Sequence, residues 1–284
     1  MSTRNSRRVG LLTMIAILLV AHAPAASALT ITRLFGAGAA PAATTGTGTL
    51  NSVVNWAADQ WEALIPDAHT VTITFDWASL PDPTGTLGSH GLTGQGGVPN
   101  RETSATIDFD NDGSVGTWFL DGTPGVNGEY STFTQFVADL GGGAMTTGLE
   151  FTGASGAAAG NFDLVSVAIH EIGHSLGLSS ANFSFQAERG DNDVDVTSGT
   201  FAGAAIALNA ATAHTALANS LMWPFTNPGE RHLISEADLM ANCQISQFSD
   251  CLNQSGPVIP EPSSVALYGV SLLLIGRALR RRRS

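Results

Sequence analysis

His170 and His174, which flank a glutamate in the segment His170-Glu171-Ile172-Gly173-His174, are the residues best suited to chemistry in this sequence. Positions i and i+4 of a helix share one face, so both imidazoles can reach one ion, and zinc readily accepts two such nitrogens. Glu171, beside the first histidine, can take a proton from water that the ion activates. The spacing predicts a helical zinc site with hydrolytic chemistry; two unrelated histidines on a surface helix are the alternative.

The residues after the second histidine, Ser175-Leu176-Gly177-Leu178, extend this motif. A glycine one turn beyond His174 can adopt a positive φ and end the helix sharply, so that the chain folds back under the ion. HEIGHSLGL resembles the metzincin protease pattern H-E-x-x-H-x-x-G-x-x-H, whose last histidine is the third zinc ligand. Ser180 occupies that last position here, so the third ligand must come from elsewhere.

A second block, NSLMWP at residues 219–224, resembles the Met-turn of the matrixin branch of the metzincins. In that family the third histidine precedes the turn methionine by eight positions, and the residue eight positions before Met222 is His214. The resemblance implies that His214 is the third ligand, that residues 180–213 are approximately an insertion, and that Met222 forms a hydrophobic floor under the metal. A loop insertion of that size costs little closure entropy. The alternative third ligands are His232, Asp191, Asp193 and Asp195.

The matrixin resemblance implies an α+β, metzincin-like catalytic domain over residues 29–257. Its expected parts are a mixed, mostly parallel, twisted sheet of about five strands, the active-site helix and a C-terminal helix. The implied activity is that of an endopeptidase with one catalytic Zn²⁺, in which zinc-activated water attacks the peptide bond of a protein or peptide substrate. Glu171 would be the general base and would then protonate the leaving amine. Residues 223–227 would wall the pocket for a substrate side chain.

Two rival functions remain open on the sequence. The serine at position 180 supports a non-catalytic cell-surface or exopolysaccharide-matrix protein built on a metzincin scaffold. A zinc hydrolase that cleaves a bond other than a peptide is the other rival, although the Met-turn favours peptides.

Hydrophobic periodicity, together with the proline and glycine residues that end helices and strands, predicts the elements that must position these residues. Strands are predicted at residues 29–35, 69–77, 103–109 and 117–120, the last two forming a hairpin around Asn111-Asp112-Gly113. Helices are predicted at residues 50–65, 130–140 and 163–177, and a final helix follows a serine cap at Ser235. The glycine- and proline-rich residues 80–100 are predicted to be a loop.

Two further features are candidate calcium sites. Asp108, Asp110 and Asp112 begin like a calcium loop, but Phe119 stands where an EF-hand requires an acid, so a plain turn is the alternative. Asp191, Asp193 and Asp195 alternate within the insertion and either bind calcium or are solvated.

The only cysteines, Cys243 and Cys251, lie eight residues apart. In an exported protein this spacing predicts a disulfide.

The two ends of the chain read as targeting segments. Residues 1–28 have a basic start, an apolar run over residues 11–21 and an Ala-Ser-Ala cleavage site, which is typical of a secretory signal peptide. Residues 258–284 contain Pro260-Glu261-Pro262, an uncharged apolar stretch and an arginine-rich tail, and they resemble the PEP-CTERM sorting segment. That resemblance implies a Gram-negative exporter, an exosortase-type processing enzyme as partner and a membrane helix, permanent or transient, at the C-terminus. A plain membrane anchor is the alternative.

Charge sets limits on the partners. The chain contains no lysine, and its formal net charge is −12. Between residues 29 and 259 four arginines face 23 acidic side chains, so this body carries a formal charge of −19. Such a surface repels phosphate backbones, which excludes nucleic-acid binding, and it suits divalent cations and a location in the cell envelope or outside the cell.

Overall fold

The computed structural model of the chain describes residues 29–80 and 85–254. The signal peptide predicted at residues 1–28 and the sorting segment predicted at residues 258–284 lie outside the described residues. Within the described ranges, no helix is both long and apolar enough to cross a membrane.

The described residues form a mixed α+β fold, as the sequence predicted. The helices are α1 (Leu50–Leu64), α2 (Leu164–Ser175), α3 (Phe183–Glu188) and α4 (Glu236–Ile245). The strands are β1 (Leu29–Phe35), β2 (Thr44–Gly46), β3 (His69–Ala78), β4 (Gly88–Gly96), β5 (Arg101–Asp110), β6 (Trp118–Leu120), β7 (Tyr130–Asp139), β8 (Ala144–Ala154), β9 (Phe162–Asp163), β10 (Asp193–Asp195), β11 (Ala205–Asn209), β12 (His214–Thr215) and β13 (Arg231–Leu233).

The principal sheet has four strands in the order β1-β3-β5-β4, rather than the expected five or so. β1, β3 and β5 are parallel, and β4 is antiparallel at the edge, so the expected mixed, mostly parallel arrangement is correct. Alternate side chains of β3, among them Val71, Ile73 and Phe75, are fully buried. This apolar face places the sheet against the core that also contains α1 and α2.

Local sequence signals set the two ends of α1, and a buried hydrogen bond joins α1 to α2. Thr49 and Ser52 form a capping box at the start of α1, and Pro66 follows the end of the helix. Trp61 of α1 donates an indole hydrogen bond of 2.9 Å to the carbonyl of Ile169 in α2. The two helices are therefore tied together by a buried polar contact as well as by apolar packing.

The sequence attributed the end of α2 to a positive φ at Gly177, and the structure shows a different role for this glycine. The helix does end before Gly177, but Gly177 is not among the residues with a positive φ. A Cβ at position 177 would instead lie 3.2 Å from the backbone oxygen of Asn242 and 3.4 Å from Cβ of Ile245. Because α4 packs closely here, a larger side chain at position 177 would require α4 to shift.

Three predictions of local structure were wrong. The segment predicted as a helix at residues 130–140 forms strand β7. Its aromatic and β-branched side chains pair with those of the antiparallel neighbour β8. The ring centroids of Phe133 and Phe151, for example, are 4.7 Å apart. Residues 88–96 form the edge strand β4 within the predicted loop. β5 and β6 do not form a hairpin, since β6 pairs in parallel with β2 and β9.

The segment at about residues 180–213, which the sequence predicted to be a loop insertion, is folded and is not a simple loop. It contains α3, β10 and β11, and its side chains Phe185, Val194 and Ile206 are fully buried. β11 pairs antiparallel with β12, which places Asn209 opposite His214. The insertion therefore fixes the strand that carries the predicted third ligand.

The C-terminal part of the described chain matches its sequence signals. α4 begins after Ser235, whose side chain takes part in a capping box with Asp238. Cys243 and Cys251 form a disulfide, as predicted, which ties the end of α4 to the turn that follows.

Candidate metal centre

Three histidine side chains from two elements converge at one point. α2 supplies His170 and His174, and β12 supplies His214. Nε2 of His170 lies 3.1 Å from Nε2 of His174 and 3.2 Å from Nε2 of His214. All three nitrogens lie within 4.8 Å of one another, which is the spacing expected of ligands around a single ion.

The hydrogen bonds of two of these rings show which nitrogens face the centre with a free lone pair. Nδ1 of His170 lies 2.7 Å from the carbonyl oxygen of Leu221, and Nδ1 of His174 contacts the carbonyl oxygen of Leu178. A carbonyl oxygen can only accept, so each Nδ1 carries the proton and each Nε2 carries a lone pair. Facing lone pairs repel each other unless a cation lies between them, so this donor set fits zinc.

Burial keeps these imidazoles neutral. It lowers the pKa of His170 to about 3 and that of His214 to about 4, and proximity of His214 lowers the pKa of His170 further. Burial and the neighbouring histidines also lower the pKa of His174 well below its usual value. The neutral imidazole is the form that binds a metal, so the centre is available over a wide pH range.

Glu171 lies between the two helical histidines in the sequence of α2. Together with His170 and His214 it lines a cavity. Its side chain is buried, and burial raises its pKa to about 8. Gly88 of the edge strand β4 makes room for it, because a Cβ at position 88 would lie 2.6 Å from Oε1 of Glu171. Sequence reasoning missed Gly88; its only signal was a glycine inside a segment taken for a loop.

The turn around Met222 lies beneath the helix and is held by α4. Asp238, which is fully buried, accepts hydrogen bonds from the backbone N–H of Leu221 at 3.1 Å and of Met222 at 2.9 Å. The carbonyl of Leu221 in turn accepts from His170. No role at the metal centre was predicted for Asp238, since nothing local in the sequence encodes that contact.

The same turn is tied to the strand of the third histidine. Thr215, next to His214, donates its backbone N–H to the carbonyl of Met222 at 3.0 Å. Its hydroxyl lies 2.5 Å from that of Ser220, and both side chains are buried. The position of His214 thus depends on the turn as well as on the folded insertion.

α2 is anchored at its N-terminus by a buried ion-pair network. Asp163, the N-cap, accepts from the backbone N–H of Ser166 at 3.1 Å and from Nε of Arg231 at 2.9 Å. Arg231 is fully buried and also donates to Asp121 at 2.8 Å. This network joins β13 and the loop after β6 to the helix that carries the histidines.

The site opens into a cavity of about 900 Å³. Of the predicted wall, Trp223, Pro224, Phe225 and Thr226 line it, whereas Asn227 is not a lining residue. The exposed fraction of Phe225 is 72 %. A large apolar side chain at the mouth of a cavity suits contact with a substrate.

The alternative third ligands lie elsewhere. His232 lines the cavity, but its nitrogens lie together with carboxylates of Glu150 and Glu230, not with the three histidines. The carboxylates of the acidic triad in the insertion lie within 4.8 Å of one another and form a separate group: Asp191, Asp193 and Asp195.

The other calcium candidate is not assembled as a site. Asp112 accepts from Ser79 and Ser114, and Asp110 is buried beside the same turn. Asp108, Asp110 and Asp112 do not form a metal-binding group among the described residues. Their observed contacts are those of a turn.

Residues 60–187 match the family model of the matrixins. No curated protein and no solved structure matches the chain. The matched part is matrixin-like and contains α2 with both of its histidines, which supports a zinc metallopeptidase. It ends before His214, so the predicted roles of His214 and of the turn at Met222 rest on the geometry described above.

Proposed function

We propose that this protein is an exported, zinc-dependent endopeptidase. The observation that carries the proposal is the convergence of three imidazole nitrogens beside a buried glutamate that lines an open cavity. The nitrogens are those of His170, His174 and His214, and the glutamate is Glu171. The matrixin match over residues 60–187 independently favours a metallopeptidase.

In hydrolysis, the three histidines would bind zinc and Glu171 would transfer the proton of water. Bound zinc supplies Lewis acidity, which acidifies water and polarises a scissile carbonyl. Glu171 accepts the proton of the attacking water and passes it to the leaving amine, so one carboxylate serves both halves of the reaction. The carbonyls of Leu221 and Leu178 keep the helical histidines in the tautomer that leaves Nε2 free.

The cavity wall would bind a substrate side chain. Trp223 and Phe225 pack edge to face, with ring centroids 5.7 Å apart, beside His214 and Glu171. An apolar wall next to the reacting groups favours an apolar or aromatic residue of a protein or peptide substrate.

Export is part of the proposal and is supported by the sequence. The signal-like start, the sorting-like end and the disulfide between Cys243 and Cys251 suit a protein that acts in the cell envelope or outside the cell. An exosortase-type enzyme and, transiently, the membrane would be its partners during maturation.

The rival function, a non-catalytic surface protein, depended on the missing ligand at Ser180. The position of His214 beside the other two histidines removes that argument. The site geometry therefore favours a zinc hydrolase, and the matrixin match over residues 60–187 favours a peptide as its substrate.

The test uses the full chain, stripped of metal by a chelator and then reloaded with zinc. Glu171→Gln keeps all three histidines, so zinc at this centre should be retained while cleavage of an unfolded protein substrate falls about 10²- to 10⁴-fold. His214→Ala should lose both the zinc and the activity. Cleavage at the wild-type rate by Glu171→Gln would contradict the proposal.

A further inference from the structure

A second cluster of potential metal ligands lies in the wall of the same cavity. His232 on β13 stands directly opposite Glu150 on β8 in the antiparallel register, and Glu230 precedes β13. Nε2 of His232 lies 3.6 Å from Oε2 of Glu230 and 4.0 Å from Oε1 of Glu150. One ligand atom from each of the three residues lies within 4.8 Å of the other two.

His232 is buried without a hydrogen bond for its ring. The exposed fraction of the residue is 6 %, and neither ring nitrogen has a hydrogen-bond partner among the described residues. The nearest carboxylate oxygen, at 3.6 Å, lies within ion-pair distance of Nε2 but beyond hydrogen-bond length. Leaving a buried polar group unpaired is costly, so such a group requires an explanation.

An ion between the three side chains would supply the missing partner of Nε2. Two ligand atoms that are each about 2.1 Å from one ion in tetrahedral geometry lie roughly 3.4 Å apart. The separations of 3.6 Å and 4.0 Å at His232 are close to that value and somewhat longer than the 3.1 Å and 3.2 Å among the three histidines. Small side-chain movements would bring all three donors onto one ion.

We propose that His232, Glu150 and Glu230 form a second binding site for a divalent metal ion of the zinc class. One imidazole and two carboxylates are donors that zinc and its neighbours accept, whereas calcium takes oxygen ligands alone. The strongly acidic body raises the local concentration of cations around the site.

The surrounding structure holds the donors in place. The carboxylate of Glu230 accepts from the backbone N–H of Asn227 at 3.2 Å and from its side-chain amide at 3.0 Å. The backbone N–H of His232 donates to Oγ of Ser166 at 2.9 Å. Glu150 lies on β8, the middle strand of its sheet. Such outer contacts preorganise a metal site.

The link to Ser166 locates the second site relative to the first. Ser166 lies four residues, about one helical turn, before His170 on the same face of α2. His232 and His170 also line one cavity. The second ion would therefore lie in the wall of the cleft, one turn along the helix from the predicted catalytic centre, and it does not require the protein to be a protease.

The experiment measures zinc per chain in the full-length protein after chelation and equilibration with buffered free zinc. Wild type should bind two zinc ions, while His232→Ala and the more conservative Glu150→Gln should bind one at the same free zinc. Loss of a direct ligand should lower the zinc affinity of the second site at least about tenfold, because even the loss of a hydrogen bond to a ligand lowers metal affinity by that factor. Asp193→Asn, in the exposed acidic triad, is the matched control and should still bind two.

The variant His214→Ala separates this proposal from the proposed function. It should lose the first zinc and keep the second. A single zinc in wild type that only His214→Ala removes would overturn the second site, in favour of a protonated His232 paired with the two carboxylates, and leave the catalytic centre intact. A single zinc that only His232→Ala or Glu150→Gln removes would support the second site and contradict the catalytic centre. Loss of one zinc in Asp193→Asn would also overturn this proposal.

Discussion

Met222 contacts α2 at the one position between the two helical ligands where no side chain stands. A Cβ at Gly173 would come within 2.5 Å of Sδ of Met222 and 3.2 Å of Cζ2 of Trp61. Met222 and Trp61 are both fully buried, so neither can move aside into solvent. The glycine of the motif is thus required by the packing of the floor of the site.

Replacing Gly173 with alanine should destabilise the protein and weaken its first zinc site. The added methyl group overpacks a full core, which typically costs about 1–3 kcal/mol of unfolding free energy. Movement of Met222 would disturb the adjacent Leu221, whose carbonyl orients His170. Urea unfolding and zinc titration would measure the two effects.

The double variant Gly173→Ala/Met222→Ala tests whether the contact is the cause. Shortening Met222 removes the atoms that the methyl group would meet, so the double variant should lose less stability than the sum of the single variants. Additive losses would show that the clash with Met222 is not the cause.

Gly88 should be required for the position of Glu171 but not for metal binding. A Cβ at position 88 would lie 2.6 Å from Oε1 and 2.8 Å from Cγ of Glu171. Gly88→Ala should therefore displace the carboxylate and lower kcat/KM about tenfold to a hundredfold, with zinc retained. Protease assays and elemental analysis on the same preparation would separate the two effects.

Gly96 offers a matched control at the other end of the same strand. A Cβ there would meet nothing within 4 Å. Gly96→Ala should keep wild-type activity. An equal loss in both variants would mean that the change acts through β4 as a whole and not through Glu171.

The helix of the metal centre could be predicted from sequence because its signals are local. Apolar periodicity, a cap at Asn161 or Asp163 and histidines at i and i+4 predicted a helix over residues 163–177, and the observed helix is Leu164–Ser175 with Asp163 as its cap. His214 was found through resemblance to a family motif, since its spacing from His170 carries no periodicity of its own. The pairing of β11 with β12 is local, and it is the packing of Phe185, Val194 and Ile206 into the core that fixes this hairpin beside α2, a tertiary contact that leaves no local pattern.

The features that were missed depend on tertiary contacts. The glycine-rich β4 has little strand propensity, and its pairing with β5 overrides that propensity. The apolar residues of β7 fit both the helical repeat of 3.6 residues and the strand repeat of two. Pairing with β8 makes the segment a strand. The reach of Asp238 to the turn at Met222 spans 16 residues and leaves no local pattern.

His69 should make stability depend on pH independently of the metal centre. Burial lowers its pKa below the usual 6.5, although a hydrogen bond of 2.7 Å to the carbonyl of Glu102 acts in the opposite direction. As pH falls below 6.5, the unfolded chain takes up a proton at His69 before the folded chain does. This contribution to stability is therefore complete above pH 6.5 and is lost as pH falls towards the lowered pKa.

His69→Gln removes this titration and serves as the comparison. Urea unfolding of both proteins between pH 7 and pH 5 should give a smaller loss of stability for the variant over that range. Parallel pH dependences would show that burial does not shift the pKa of His69.

Asp238 should act on metal binding through Leu221. Its carboxylate accepts from the N–H groups of Leu221 and Met222 and from both the N–H and the hydroxyl of Ser235. Asp238→Asn places an amide donor among these donors, so at least one buried hydrogen bond is lost, at a cost of about 1–3 kcal/mol. The carbonyl of Leu221 then orients His170 less firmly, and zinc affinity at the first site should fall about tenfold or more.

Ser235→Ala distinguishes this positioning role from a general loss of stability. It removes the cap of α4, which costs about 1 kcal/mol, but leaves both hydrogen bonds that Asp238 accepts from the backbone of the turn. Its zinc affinity should therefore match that of wild type even though its unfolding midpoint falls. If the two variants lose zinc affinity in proportion to their loss of stability, Asp238 acts on the fold and not on His170. If only Asp238→Asn loses it, α4 contributes to the metal centre without touching the ion.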